Sequence, residues 1–237
     1  MKAHWIVFVL VIMSAVSFSN GLYIQAKAEV AQWLLQDAWY KTLTSRNDYA
    51  GDVSVKPWPW ADIWPIAAMN YLPESQAASN LQNSSHLFNR SSVGKQIESW
   101  VVLNESSGQG LAFGPTKLKG SASPGEPGWL MIAGHRDTHF RFLERAKVGD
   151  MMEVQDDLGR WHVYEIDVLH VVDSRHEALP SAAEIDEPGL MLITCYPFNL
   201  IDVGGPLRFV ALGRYISGQM PVDGAVVTIN SDLPHAL

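Results

Sequence analysis

The 237 residues predict a mainly β domain, an antiparallel barrel or sandwich, behind an N-terminal membrane helix. Three observations carry this reading. An uncharged apolar stretch of bilayer length opens the chain. Many short β-branched or alternating runs separated by Gly/Pro turns fill its second half. Only one segment within that half has helical texture.

The chain begins "MKAHWIVFVLVIMSAVSFSNGLYI". Lys2 and the amino terminus precede an uncharged run from Trp5 to Ile24, about 30 Å as a helix. Positive charge at the start favours a cytoplasmic N-terminus with the bulk of the chain outside. The expectation is therefore a single-pass anchor in the inner (cytoplasmic) membrane over residues 1–25, with the rest on the periplasmic side. Ala26-Lys27-Ala28 also resembles a cleavage site for a removable signal peptide. Against removal, the apolar run is long for a signal, and helical character continues beyond it through Val30, Trp33, Leu34, Asp37 and Tyr40.

Next comes "VKPWPWADIWPIAAMNYL", Val55 to Leu72. Its prolines lack the amide donor and clash with a preceding turn, so the helix cannot continue. Its tryptophans suit either a membrane interface or a clamp onto the domain surface. A Ser/Asn/Gln-rich stretch follows and reads as linker. Residues 26–96 are thus expected to form a helical extension and linker, residues 97–217 the barrel, and residues 218–237 a tail. Within the barrel the predicted strands are Ser99–Leu103, Gly128–Gly134, Met151–Asp156, Trp161–Asp173, Leu190–Thr194 and Leu207–Tyr215. Thr138–Ala146 reads as a short helix.

Composition excludes some classes of function. Hydrophobic residues make up 47% and charged residues 18%, so most of the chain has material for a core. The net charge of −8, without a basic cluster, argues against nucleic acid as a partner. One cysteine excludes an intrachain disulfide framework and a multi-cysteine zinc site.

That cysteine, Cys195, ends the apolar run "LMLITC". His135 follows "WLMIAG" at the same kind of strand end, and Arg208 opens a third strand in "GGPLRFV". Together the three types suit thiol chemistry. A free cysteine of pKa about 8.5 is on the order of 3% thiolate at neutral pH, so a neighbouring imidazole or cation is needed. Histidine can also protonate a leaving amine, and a guanidinium can hold a developing oxyanion. From residue types alone, Cys195 remains open between a buried core thiol and a nucleophile. His139, four residues beyond His135, is a competing candidate for acid/base work. Asp137 either orients His135 or caps the helix expected near Thr138. Thr194 either contacts substrate backbone or fills the barrel wall. The Gly/Pro loop "FGPTKLKGSASPGEPG" lacks the lysine-serine end of a phosphate loop.

The runs "TCYPF", "AGHRDTHF" and "GGPLRFV", in this order, resemble the sortases, cysteine transpeptidases of bacterial surfaces, and in particular a subgroup from Gram-negative, often marine, proteobacteria. The resemblance covers roughly Lys56 to Tyr215. The signature Thr-Leu-x-Thr-Cys of that family reads Met191-Leu192-Ile193-Thr194-Cys195 here, without the first threonine. The resemblance implies a closed eight-stranded barrel, Cys195 as nucleophile, His135 as general acid/base and Arg208 as oxyanion or substrate clamp. It assigns substrate binding to Thr194 and Asp137 only weakly. It also implies cleavage of a Leu-Pro-x-Thr-Gly-like sorting signal on a membrane-anchored protein, through a thioester passed to an amine or to water. No cofactor is expected, and no carboxylate cluster for calcium is evident. Two other classes compete. A cysteine L,D-transpeptidase would need a Ser-His-Gly-Cys-type run, which "LITCYPF" lacks. A non-catalytic, anchored peptide-binding barrel would have no need of the three residues together.

Overall fold

The computed structural model describes residues 13–14, 27–45, 55–73, 98–104, 108–199 and 205–219. Apart from Met13 and Ser14, which are helical, the expected Trp5–Ile24 span lies outside the described residues. Among those residues no helix is long and apolar enough to cross a membrane. The 218–237 tail likewise lies outside them beyond Gln219.

Eight strands close into a barrel: β1 (Pro65–Leu72), β2 (Glu98–Leu103), β3 (Thr116–Lys117), β4 (Gly128–Ala133), β5 (Met151–Gln155), β6 (Trp161–Asp173), β7 (Pro188–Cys195) and β8 (Leu207–Gln219). Their order around the wall is β1-β2-β3-β4-β7-β8-β6-β5. Most pairs are antiparallel, but β2–β3 and β4–β7 are parallel. Alternation sorts each strand into an inner and an outer face. Met69, Val102, Leu130, Ile132, Met152, Tyr164, Ile166, Leu190, Leu192 and Ala211 fill the interior.

The barrel begins earlier than expected. β1 lies in the segment assigned to extension and linker, and it pairs with both β2 and β5. Without it the barrel would stay open between those two strands. Its small Ala67 and Ala68 and its leading proline disguise the strand in sequence. The helix expected over Thr138–Ala146 is instead a chain of turns followed by a short 3-10 helix at Arg141–Glu144. Its N-cap is Phe140 and makes no side-chain cap bond, so Asp137 is not a helix cap.

Besides Met13–Ser14, the described α-helical segments are α1 (residues 27–45) and α2 (Gly108–Phe113). α1 packs Leu35 and Trp39 against Ala61, Ile63, Ala68, Val101 and Leu103 on the outer face of β1 and β2. Fully burying side chains such as Leu35 and Trp39 stabilises by about 1.5–3 kcal/mol each. Gln32 Nε2 adds a hydrogen bond to the Phe113 carbonyl at 2.7 Å. The buried stripe of α1 is Ala31, Leu35, Ala38, Trp39 and Thr42. Of the residues expected at helical spacing, Val30, Trp33 and Tyr40 are exposed, and Leu34 and Asp37 are half-buried.

Candidate active site

Backbone register places the three candidate residues together. β4 and β7 run parallel, paired from Gly128 with Pro188 to Ala133 with Ile193. The pairing continues past the strand end, where the Gly134 amide donates to the Ile193 carbonyl at 3.1 Å. Two residues beyond the last pair, His135 and Cys195 stand at equivalent positions on adjacent chains. On the other side of β7, Cys195 lies opposite Arg208 of β8. The Tyr196 amide donates to Leu207 at 3.1 Å, which makes Cys195–Arg208 a pair of the non-hydrogen-bonded kind. In such pairs Cα atoms approach to about 4.5 Å and side chains are nearest.

Face parity agrees. Leu190 and Leu192 point inward, whereas Met191 and Ile193 join the outer cluster, so Cys195 lies on the outer face. By the same alternation Arg208 shares the side of Val210 and Leu212, and His135 continues the side of Trp129 and Met131. All three thus meet on the outer face at one end of the barrel, beside an apolar floor of Met131, Ile193 and Val210. Leu179, from the connection between β6 and β7, packs against that floor.

Cys195 is half-buried and free. His135 is exposed, and Arg208 is half-buried. One arm of the Arg208 fork, Nη1, donates to the carbonyls of Gly205 at 2.6 Å and Leu207 at 2.9 Å. Those bonds hold the guanidinium against its own turn.

The loop carrying His135 is fixed from below. Its carbonyl accepts from the Phe140 amide at 2.9 Å, closing a tight turn. The Phe140 ring is fully buried under Gly134, where an added Cβ would lie 2.7 Å from the ring. Only glycine allows that approach. Thr194 is 2% exposed, and its hydroxyl donates to the Gly134 carbonyl at 2.7 Å. Thr194 is therefore part of the barrel wall, joining β7 to the histidine loop. Asp137 has a side-chain exposure of 65% and pairs with Arg136 Nε at 3.3 Å.

His139 sits beside His135 and accepts or donates to Thr138 Oγ1 at 3.3 Å through Nδ1. Burial, and then the nearby charge of His135, hold its pKa down to about 4. It stays neutral at physiological pH, which does not suit the protonated partner of a thiolate.

Sequence reasoning missed Arg136. It is buried at 6% exposure, and its Nη1 donates to the Pro197 carbonyl at 2.7 Å. One guanidinium thus joins the loop after His135 to the turn after Cys195. The available signal was alternation: continued past Ala133, it turns Arg136 inward where His135 faces out. After Cys195 the Tyr196–Pro197 peptide is cis, and Tyr196, Phe198 and Phe209 pack together with centroids 5.2–6.3 Å apart.

Comparison with known proteins identifies the family and the fold. A family model described as the sortase domain matches residues 93–215, just over half of the chain. The sortase D of Bacillus subtilis (strain 168) is 28% identical over 116 residues, covering 49% of this chain and 57% of that relative. The chain therefore matches less than two thirds of that protein's length. The Clostridium perfringens sortase D5 transpeptidase superimposes with a TM-score of 0.54 at 18% identity, over 79% of this chain and 99% of that one. Listeria monocytogenes sortase A superimposes with a TM-score of 0.48 at 16% identity, over 67% and 92% of the two chains. The D5 likeness is one of fold, and the family-model match spans the segment that contains His135, Cys195 and Arg208. This chain belongs to the sortase family of cysteine transpeptidases.

Proposed function

We propose that the chain is a membrane-anchored sortase that cuts a Leu-Pro-x-Thr-Gly-like C-terminal sorting signal and passes the new C-terminus to an amine, or to water. The observation that carries this reading is the shared outer face of Cys195 on β7, Arg208 on β8 and His135 just past the end of β4, the strand beside β7. Cys195 as thiolate attacks the carbonyl carbon of the Thr–Gly bond, and the carbonyl π pair moves onto oxygen. The Arg208 guanidinium, rotated from its turn, hydrogen-bonds that oxyanion. As the oxyanion collapses, the C–N bond breaks and the departing amine takes a proton from the His135 imidazolium. A thioester on Cys195 and a neutral His135 remain. An acceptor amine then attacks the thioester and gives a proton to His135, and the thiolate leaves. Two modest barriers thus replace one large one. The apolar floor of Met131, Ile193 and Val210 suits the Leu-Pro end of the signal.

The anchored part of the reading, with the barrel on the periplasmic side of the inner membrane, is supported by the Trp5–Ile24 stretch and the basic start. The substrate would be held in the same membrane by a helix following its sorting motif, so the two meet at raised effective concentration. With the full chain in detergent, Cys195→Ala should abolish cleavage of a sorting peptide. Arg208→Ala should lose on the order of 10²–10³ in turnover, as when an oxyanion donor is removed. An Arg208→Ala enzyme as fast as wild type would overturn its role.

A further inference from the structure

Among the described residues the large exposed aromatic side chains are Trp33 at 64%, Tyr40 at 46% and Trp60 at 84%. All three belong to the layer ahead of the barrel strands. Trp33 and Tyr40 are seven residues apart on α1, so they stack on one side about 10 Å apart along the axis. Val30, exposed at 55%, extends the same side. That side is opposite the stripe of Leu35, Ala38 and Trp39 that holds the helix to the barrel. Trp60 comes from the segment whose Trp58, Ala61 and Ile63 share that packing.

A single exposed aromatic needs no explanation, but a helix with one face already buried has no folding reason to carry Trp and Tyr on the other. Among the charges of this face, Asp37 and Lys41 form an ion pair of 2.6 Å, beside an exposed Glu29. Such a face carries no strong charge of either sign. It suits the water–lipid boundary, where indole and phenol rings put an apolar body inward and a polar tip outward.

In sequence, Lys27, the first described residue of α1, comes three positions after Ile24, the end of the apolar stretch read as the anchor. Strand order adds a second constraint. α1 covers β1 and β2, and in the closed order of eight those strands lie across the barrel from β7 and β8. Contact through α1 would therefore leave the wall of Cys195 uncovered.

We propose that Val30, Trp33 and Tyr40 of α1, together with Trp60, rest in the headgroup boundary of the bilayer, with α1 lying along the membrane surface. This rests on the anchored-sortase reading and adds a second, peripheral contact that orients the barrel.

The test uses the full chain reconstituted in phosphatidylcholine/phosphatidylglycerol vesicles whose acyl chains are brominated near the headgroup. Tryptophan fluorescence should be quenched. Trp33→Phe and Trp60→Phe keep the face apolar but remove the reporters, so each should shrink the quenched component and the pair should shrink it further. An unchanged quenched component in the double variant would overturn the proposal. The anchor is checked separately, by resistance of the chain to carbonate extraction, and the sortase reading by Cys195-dependent peptide cleavage. If both hold while Trp33 and Trp60 stay unquenched, this inference alone fails; loss of the anchor removes both. A Trp33→Asp/Tyr40→Asp variant should cleave soluble peptide normally and process a membrane-embedded substrate several-fold more slowly. Equal loss in both assays would assign the face to folding and overturn its assignment to lipid.

Discussion

Thr194→Val isolates one hydrogen bond between the nucleophile strand and the histidine loop. Valine keeps the β-branch and nearly the volume of threonine, so packing in the 2%-exposed site is preserved. What disappears is the 2.7 Å bond to the Gly134 carbonyl, which is left unpaired in the wall. Leaving such a group unsatisfied costs about 1–3 kcal/mol. For a chain of this size that corresponds to roughly 2–4 °C in Tm per kcal/mol, a fall of several degrees. Activity should drop further than stability explains. Gly134 is tied to β7 by this bond and by its amide to Ile193 at 3.1 Å, and His135 is its direct neighbour. Releasing one tie loosens the imidazole relative to Cys195, and a misplacement of ~1 Å costs on the order of 10² in rate. The assay is thermal unfolding beside kcat/KM on a sorting peptide, measured well below both midpoints. Thr194→Ser, which retains the hydroxyl, should recover most of each. A valine variant equal to wild type in both measures, or a serine variant as poor as valine, would refute the reasoning.

Two further predictions concern the same loops. Arg136→Met should lower kcat more than it raises KM, because the Pro197 carbonyl loses its buried partner and the turn after Cys195 separates from the His135 loop; Arg136→Lys should partly rescue, and a pure KM effect would contradict a positioning role. His139 has its pKa held down to about 4 from the ordinary 6.5 by burial and then by His135, so the unfolded chain binds the extra proton first. Its contribution to stability is full above pH 6.5 and is lost as pH falls from there towards 4. His139→Phe should flatten Tm against pH in that window, and an unchanged slope would contradict the assignment.

Much of this architecture was readable because its signals are local. Six of eight strands stand out as β-branched or alternating runs between Gly/Pro turns. β1 did not, because its outward Ala68 is small to admit α1 and its inward Ala67 is small as well. β3 is two residues long and has no periodicity to read. On α1 the helical spacing was legible and the segment is helical, but spacing did not show which side the barrel meets; it meets the side containing Ala31 and Ala38, where small residues permit close approach. Cys195, His135 and Arg208 stood out as candidates from residue type and strand position combined with the family resemblance, and the register brings them together. The parts played by Thr194 and Arg136 were not, since both depend on hydrogen bonds spanning about sixty residues of sequence. Register, which sequence does not display, creates those contacts.

The central claim is a thioester on Cys195, and intact-mass analysis of the full chain during turnover tests it most directly. Mixed with a Leu-Pro-x-Thr-Gly peptide, the protein should gain the mass of the fragment ending at threonine, minus one water. The adduct should map to Cys195, vanish on adding hydroxylamine, and be absent from Cys195→Ala. Cleavage of the peptide by Cys195→Ala, or an adduct mapping to another residue, would contradict the account.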